Sequence, residues 1–153
     1  MSTVLKPLVI AYTDGSCYPN PGPGGWGVHL EFGPHSKDLK GGVESTTNNR
    51  MELRAVIEAI KAIKEWARVE VVTDSQYVLQ GITVWIIKWK SNNWMRGKKS
   101  NKLVKNVDLW KELDELVQKK DVMFRWVKGH NGDPLNEFVD ALAVAGRMEL
   151  QDE

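Results

Sequence analysis

The sequence changes from an alternating pattern to a helical one near residue 47, and this change constrains the fold more than any other feature. Residues 7–14 are predicted to form a β-strand, with Leu8, Ile10, Tyr12 and Asp14 on one face and Val9, Ala11 and Thr13 on the other. Residues 25–32 and 39–45 are also typical of β-strands. The connections between these segments are short, so they favour antiparallel neighbours. The next segment, TTNNRMELRAVIEAIKAIKEWA, places its apolar residues at helical spacing. The chain therefore begins with an antiparallel sheet and continues with a helix.

The second half of the chain alternates between helices and strands. VEVVTDS is a compact, β-branched strand, and VMFRWVKG is a later one. Helices are predicted to start at SQYVLQGI and to span residues 108–120, and Asp133-Pro134 suits the cap and first position of a last helix. Crossover connections of this kind place parallel strands beside the antiparallel ones. The predicted fold class is α/β, with a mixed five-stranded sheet, three antiparallel strands followed by parallel strands, flanked by helices.

Length and composition exclude several classes of protein. The 153 residues suit one domain, residues 1–153, with a sizeable core. The single cysteine, Cys17, excludes an internal disulfide framework and favours a reducing compartment. The apolar run near the N-terminus is too short for a secretory signal, and no stretch approaches the length of a membrane helix. We therefore expect a cytoplasmic protein without membrane association. We also expect a monomer, although composition does not determine this.

Two carboxylates follow predicted strands with a similar local pattern, YTDGS at Asp14 and VTDSQ at Asp74. In a mixed sheet these strands can be central parallel neighbours, so their ends would bring the two side chains together. Glu52, in the first turn of the first helix, and Asp140, in the second turn of the last helix, could reach in from the flanks. Such clustered carboxylates need positive charge, and all-oxygen ligands suit Mg²⁺ or Mn²⁺. Each acid alone is an ordinary surface or capping residue, whereas the repeated pattern favours a metal site.

The net charge of the chain is only +1, but residues 85–107 form a basic segment that also contains tryptophans. From Trp85 to Val107 there are seven basic residues and no acidic one. Trp85 and Trp89 are four residues apart and share a helix face. Such a segment can hold a sugar-phosphate backbone through charge and stacking, although tryptophans in the core and lysines on a solvated face would also explain it. Its basic members are Lys88, Lys90, Arg96, Lys98, Lys99, Lys102 and Lys105.

Five stretches together resemble type 1 ribonuclease H. They are YTDGSCYPNPGPGGWG, TTNNRMEL, VTDSQYV, KNVDLW and WVKGHNGDPLNEFVDALA, in this order and spacing over nearly the whole chain. The resemblance implies the ribonuclease H-like fold. It also implies an endoribonuclease that hydrolyses the RNA strand of an RNA/DNA hybrid with two divalent ions, leaving 5′-phosphate and 3′-hydroxyl ends. The implied ion is Mg²⁺, with Mn²⁺ as a substitute.

The resemblance further implies roles for individual residues. The metal ligands would be Asp14, Glu52, Asp74 and Asp140, and His130 would be a catalytic residue on a loop that helps proton movement or product release. Without the motif, His130 is an ordinary solvated loop residue. The implied contacts to the hybrid are Cys17, Asn20, Thr47, Asn48, Asn49, Gln76, Trp85, Trp89, Lys90, Lys98, Lys99 and Asn106. Cys17 is equally explained as a small buried residue, and the Asn48-Asn49 pair as helix caps.

The chain departs from the family's usual pattern at three places. Ser91-Asn92-Asn93 replaces basic residues, Ser45 replaces an arginine, and Phe138 replaces a charged residue. None of these is a catalytic position, so we expect affinity for the substrate to change rather than catalysis. Two alternatives remain open. A resolvase- or integrase-like enzyme would share the carboxylates but lack TTNNRMEL and KNVDLW, and a non-catalytic hybrid-binding module would gain little from clustered acids facing phosphates.

Overall fold

The computed structural model describes residues 6–129 and 132–150. The strands are β1 Leu8–Cys17, β2 Gly22–Phe32, β3 His35–Thr46, β4 Arg68–Thr73 and β5 Val122–Trp126. The helices are α1 Asn48–Ala62, α2 Gln76–Gln80, α3 Ile86–Ser91, α4 Val107–Lys119 and α5 Pro134–Glu149, with a π-helical turn, Gly81–Trp85, that joins α2 to α3. The predicted order of strands and helices is confirmed.

The five strands form one mixed sheet in the order β3-β2-β1-β4-β5. Strand β1 pairs antiparallel with β2, β2 pairs antiparallel with β3, and β4 lies parallel to both β1 and β5. As predicted, β1 and β4 are parallel neighbours at the centre, and their register ends where Thr13 pairs with Thr73. Asp14 and Asp74 each follow one member of this last pair. The backbone register therefore sets the two aspartates side by side.

Helix α1 packs its apolar face against one face of the sheet. Leu53, Val56, Ile57 and Ile60 are fully buried there. Fully burying a side chain of this size contributes about 1.5–3 kcal/mol, so the four residues fix α1 firmly on the strands. Because Leu53 is one of them, the position of the preceding residue, Glu52, is fixed with the helix.

Helix α5 crosses the other face of the sheet at close range because glycines lie along its path. Added side chains on Gly25 and Gly42 would overlap the α5 backbone at Ala143 and Gly146. The helix begins as predicted, with Pro134 in its first turn and the Asp133 side chain accepting hydrogen bonds from two backbone amides. Neither α5 nor any other helix in the described part of the chain is long and apolar enough to cross a membrane.

Candidate active site

Three carboxylates meet where the pairing of β1 with β4 ends. Asp14, Glu52 and Asp74 each offer an oxygen, and these three oxygens lie within 4.8 Å of one another. Asp14 is almost wholly buried, whereas Glu52 and Asp74 are half-buried. Asp140, the fourth predicted ligand, lies in the second turn of α5, where its side chain is close enough to Asp14 to help raise the pKa of that carboxyl. The structure thus brings the four predicted carboxylates together, with Asp140 at the edge of the other three.

Gly15 allows Glu52 to lie beside Asp14. A Cβ atom on Gly15 would lie 2.5 Å from the carbonyl carbon of Met51 and would overlap the backbone nitrogen of Glu52. The Gly15 backbone N–H also donates to Asp14 Oδ1 at 2.9 Å, which orients that carboxylate. The glycine of the YTDGS stretch is therefore required where α1 crosses β1, since any side chain there would push the helix away.

The electrostatics of the carboxylates favour a bound cation. Burial, and then the charge of Asp74, raises the pKa of Asp14 to about 8. Burial, and then the charges of Asp14 and Asp74, raises the pKa of Glu52 well above its usual range. Glu52 Oε2 is buried without a hydrogen-bond donor among the described residues. A divalent cation would relieve both the repulsion and the unpaired acceptor, so this all-oxygen set of ligands fits Mg²⁺ or Mn²⁺.

The last residue of β5 and the segment after it close the site around Asp74. The Trp126 indole N–H donates to the Asp74 backbone carbonyl at 3.1 Å, and the Val127 N–H donates to the Thr73 carbonyl at 2.9 Å. A Cβ on Gly129 would lie 2.8 Å from Asp74 Oδ2, so this glycine lets the segment approach the carboxylate. The predicted catalytic histidine, His130, follows Gly129 and lies outside the described residues. Sequence reasoning misses Trp126 and Gly129, although both belong to the WVKGH stretch.

A polar pocket lies at the N-terminus of α1, about a turn from Glu52. Thr47 is the N-cap of the helix, and its side chain accepts a hydrogen bond from the Arg50 N–H at 3.2 Å. The Asn48 N–H donates to Asn20 Oδ1 at 3.2 Å, which ties the β1–β2 loop to the helix. The cavity has a volume of about 590 Å³ and is lined by Asn20, Pro21, Thr47, Asn48, Asn49, Lys105 and Asn106. Five predicted substrate-binding residues therefore share one pocket.

Asn106 occupies this pocket in a left-handed backbone conformation, with φ of 60°. Its Oδ1 accepts from an Arg50 Nη1–H at 3.2 Å, and its Nδ2–H donates to the Tyr77 hydroxyl at 3.0 Å. Arg50 also grips Asp108 with two hydrogen bonds, of 3.0 and 2.7 Å. These contacts make Arg50 and Tyr77 positioning residues for Asn106. Sequence reasoning misses both, because they come from distant parts of the chain.

Aromatic rings support the basic segment. The ring centroids of Tyr77, Trp85, Trp89 and Trp110 lie 5.2–5.9 Å apart at successive contacts. Trp110 is fully buried, Trp89 is half-buried and Trp85 is exposed. The two predicted tryptophans therefore belong partly to the core and partly to the surface. A second cavity, of about 330 Å³, lies beside them and shares Asn106 with the polar pocket.

The predicted lysines differ in their surroundings. Lys98 and Lys99 are exposed in the connection from α3 to α4, which is braced by a β-bridge between Met95 and Leu103. Lys90 is paired with Asp114 of α4 at 3.2 Å, so part of the segment's charge is neutralised by an acid distant in sequence.

Gln76 and Cys17, the remaining predicted contacts with the hybrid, differ in their exposure to solvent. Gln76 is exposed at the start of α2. Cys17 is buried, and its thiol lies 3.3–3.5 Å from three carbonyl oxygens, one of which belongs to Thr46. This burial favours Cys17 as a small residue that holds the loop together, and its contact with a nucleic acid groove stays a prediction.

Comparisons with known proteins agree on one family. The model of the RNase H family matches residues 6–148. A ribonuclease H from Afipia carboxidovorans is 53% identical over 149 residues, which cover 97% of this chain and 99% of that protein. A ribonuclease H from Polynucleobacter asymbioticus is 54% identical over 144 residues, covering 94% and 92%. Among solved structures, LC9-RNase H1, a type 1 RNase H with the type 2 active-site motif, is 36% identical with a TM-score of 0.84, covering 97% of this chain and 75% of that one.

Proposed function

Because the chain belongs to the ribonuclease H family, we propose that its carboxylate site hydrolyses the RNA strand of RNA/DNA hybrids. The observation that carries this proposal is the cluster of Asp14, Glu52 and Asp74, whose oxygens lie within 4.8 Å of one another where the pairing of the two central strands ends. When bound, two divalent ions would supply an activated water and offset the charge on the leaving 3′ oxygen. Mg²⁺ is the proposed ion and Mn²⁺ a substitute.

We propose roles for the acidic residues on the basis of their positions. Asp14 contacts Glu52, Asp74 and Asp140, so it is the carboxylate best placed to be shared between two ions. Glu52 approaches from α1 and is proposed to lie near the 2′-hydroxyl of the RNA, a group that DNA lacks. His130 is proposed to move a proton or help product leave the site. The products would carry 5′-phosphate and 3′-hydroxyl ends.

The remaining predicted residues would hold the DNA strand and the minor groove. The polar pocket around Thr47 and Asn106 would take a DNA phosphate, since it offers hydroxyl, amide and lysine donors. The exposed lysines and Trp85 would follow the same strand. The glycine- and proline-rich loop after Asp14 has few large side chains, which suits close approach of a shallow minor groove.

Three further proposals concern the chain as a whole. We infer that residues 1–153 act as one catalytic domain, which the family match over residues 6–148 supports. We also infer a monomer, because the four carboxylates come from one chain. A cytoplasmic location follows from the substrate and from the single cysteine.

The test uses one RNA/DNA hybrid with each strand end-labelled in turn, in Mg²⁺ or in EDTA, beside matched RNA and DNA duplexes. Cutting of the hybrid's RNA strand alone, and only with metal, is the expected result. Binding without cutting under either ion would make the protein a hybrid-binding module. Cutting of DNA would instead favour an enzyme of the resolvase or integrase type.

Gly15→Ala is expected to lower kcat for hybrid cleavage by about 10²-fold, because displacement of a catalytic group by about 1 Å has this effect. The added Cβ would push α1, and with it Glu52, away from Asp14. Steady-state kinetics measure the change. Gly33→Ala is the matched control, because Gly33 has a φ of +56° with nothing within 4 Å of an added Cβ. It should cost about 1 kcal/mol of stability without changing kcat, and an equal loss of kcat in both variants would contradict the steric explanation.

Replacing Lys98 and Lys99 together with alanine is expected to weaken hybrid binding more than it lowers kcat. Both ammonium groups are exposed, so each can neutralise one phosphate. The slope of log affinity against log salt should fall by up to about two, measured by fluorescence anisotropy in EDTA. A double alanine variant of Lys37 and Lys119, also exposed, is the control. An unchanged slope in the first variant would remove the pair from the interface.

A further inference from the structure

Tyr18 and Arg147 form a pair that belongs neither to the core nor to the site described above. The guanidinium carbon of Arg147 lies 5.9 Å from the centroid of the Tyr18 ring. The tyrosine is 72% exposed, whereas the arginine is half-buried. An exposed cation–ring contact is worth only about 0.5–1 kcal/mol, so stability alone is a weak reason for a large aromatic residue in the open.

The pair lies on the same side of the molecule as the carboxylates. Asp14 and Tyr18 are an even number of residues apart on β1 and its extension, so they face the same way, roughly 13 Å apart. Asp140 and Arg147 are two turns apart on one face of α5, roughly 10 Å along the axis. Asp14 contacts Asp140, and Tyr18 contacts Arg147. The extended end of β1 and helix α5 therefore run side by side from the carboxylates to Tyr18 and Arg147.

One donor group of Arg147, its buried Nε–H, has no acceptor among the described residues. Glu149, two residues further along α5, is already paired with Lys40 at 2.6 Å. A buried donor without an acceptor costs about 1–3 kcal/mol. The side chain as a whole is only half-buried, so a phosphate that accepted two of its outer N–H groups would gain charge-assisted hydrogen bonds, since the planar fork of the guanidinium matches phosphate oxygens.

Tyr18 is held in place by its own loop. Its backbone N–H donates to the Pro23 carbonyl at 3.1 Å, which closes the loop at its base. The neighbouring thiol of Cys17 lies 3.5 Å from the carbonyl oxygen of Gly22 and reinforces this closure. The ring is thus presented to solvent on a preformed support, so little conformational entropy is lost when it packs against a ligand.

We propose that Tyr18 and Arg147 form a second contact site for the RNA strand, away from the bond that is cut. Arg147 binds a backbone phosphate, and Tyr18 packs against the neighbouring ribose. The ligand is the RNA strand because that strand crosses the carboxylates. Tyr18 and Arg147 lie further along the same side of the molecule, beside α5. The polar pocket for the DNA strand lies on the α1 side. This inference rests on the proposed function and extends its substrate-binding surface.

The test compares wild type with Arg147→Gln on a set of hybrids. Each hybrid carries one uncharged methylphosphonate at a different position of the RNA strand. Arg147→Gln is expected to raise KM about tenfold, the usual worth of one charged hydrogen bond, with kcat unchanged within about twofold. For wild type, a methylphosphonate at one RNA position away from the bond that is cut should raise KM by a similar factor. For Arg147→Gln, that methylphosphonate should raise KM no further, because the protein substitution and the methylphosphonate remove the same contact.

Three further variants sharpen this experiment. Tyr18→Ala should also raise KM relative to wild type. Arg147→Lys should keep the salt dependence of wild type but bind the hybrid less tightly than wild type does, because lysine lacks the planar fork. Arg54→Gln is the matched control, since its guanidinium lies 3.5–3.6 Å from Glu58 and Glu112 on the α1 side. Thermal unfolding checks that each variant is folded.

The outcomes separate this inference from the function on which it rests. If wild type cleaves the hybrid and Arg147→Gln keeps the wild-type KM and salt dependence, the contact site is wrong and the proposed function stands. Additive effects of the variant and every methylphosphonate would also overturn the site. If wild type cleaves no hybrid, the proposed function fails and the inference fails with it.

Discussion

Asp14→Asn is expected to reduce cleavage of the RNA strand by at least about 10³-fold, the scale seen when one member of a catalytic unit is removed. Asp14 is the carboxylate in contact with the other three, and its replacement would remove the proposed shared metal ligand while keeping nearly the same shape. Hybrid affinity in EDTA should stay within about threefold, because no phosphate contact is lost. Single-turnover cleavage and fluorescence anisotropy measure the two quantities separately.

Asp121→Asn is the matched control, since Asp121 is exposed and its side chain lies outside the site. It should cleave like wild type. Retained activity in Asp14→Asn would show that the metal ions are held elsewhere and would overturn the assignment of the ligands. Loss of binding together with activity would mean that the substitution damages the fold or the groove, and the catalytic role would then lack support.

The central features of the fold could be predicted from local patterns. Alternation and short connections predict the three antiparallel strands, and the β-branched run that ends at Asp74 predicts a buried fourth strand. The pairing of Thr13 with Thr73 then follows from the crossover through α1, so the meeting of Asp14 and Asp74 is a consequence of topology. This part of the site is predictable because it depends on backbone register, which hydrophobic pattern and connection length determine.

Contacts between side chains from distant segments could not be predicted in this way. The hydrogen bond from Arg50 to Asn106 joins residues 56 positions apart, and the pairing of Lys90 with Asp114 joins α3 to α4. Neither pair has a local signal, because each depends on how two helices are oriented over the sheet. Gly15 is an intermediate case. Its glycine is visible in the sequence, but the structure shows that the backbone of Glu52 is what excludes a side chain.

The second large effect concerns the stability of the metal-free protein. Burial and then the charge of Asp74 raise the pKa of Asp14 to about 8, whereas an aspartate in the unfolded chain titrates near 3.9. The folded state therefore binds more protons than the unfolded state between these values. Since the free energy of unfolding falls with pH where the folded state holds the extra proton, Asp14 makes the protein less stable as pH rises from about 4 to about 8. The slope from this one group is at most about 1.4 kcal/mol per pH unit.

In EDTA, the Tm of wild type is therefore expected to fall between pH 5 and pH 8 relative to Asp14→Asn, which lacks the titrating group and also lowers the repulsion on Glu52. The variant should be the more stable protein at pH 8, although it is inactive. Mg²⁺ should reverse the order by binding the ionised carboxylates of wild type, and its effect should be larger at pH 8 than at pH 5. Differential scanning calorimetry of wild type, Asp14→Asn and Asp121→Asn with and without Mg²⁺ measures these shifts. Parallel pH dependence of wild type and Asp14→Asn in EDTA would contradict the prediction, because it would mean that Asp14 titrates alike in the folded and unfolded chains.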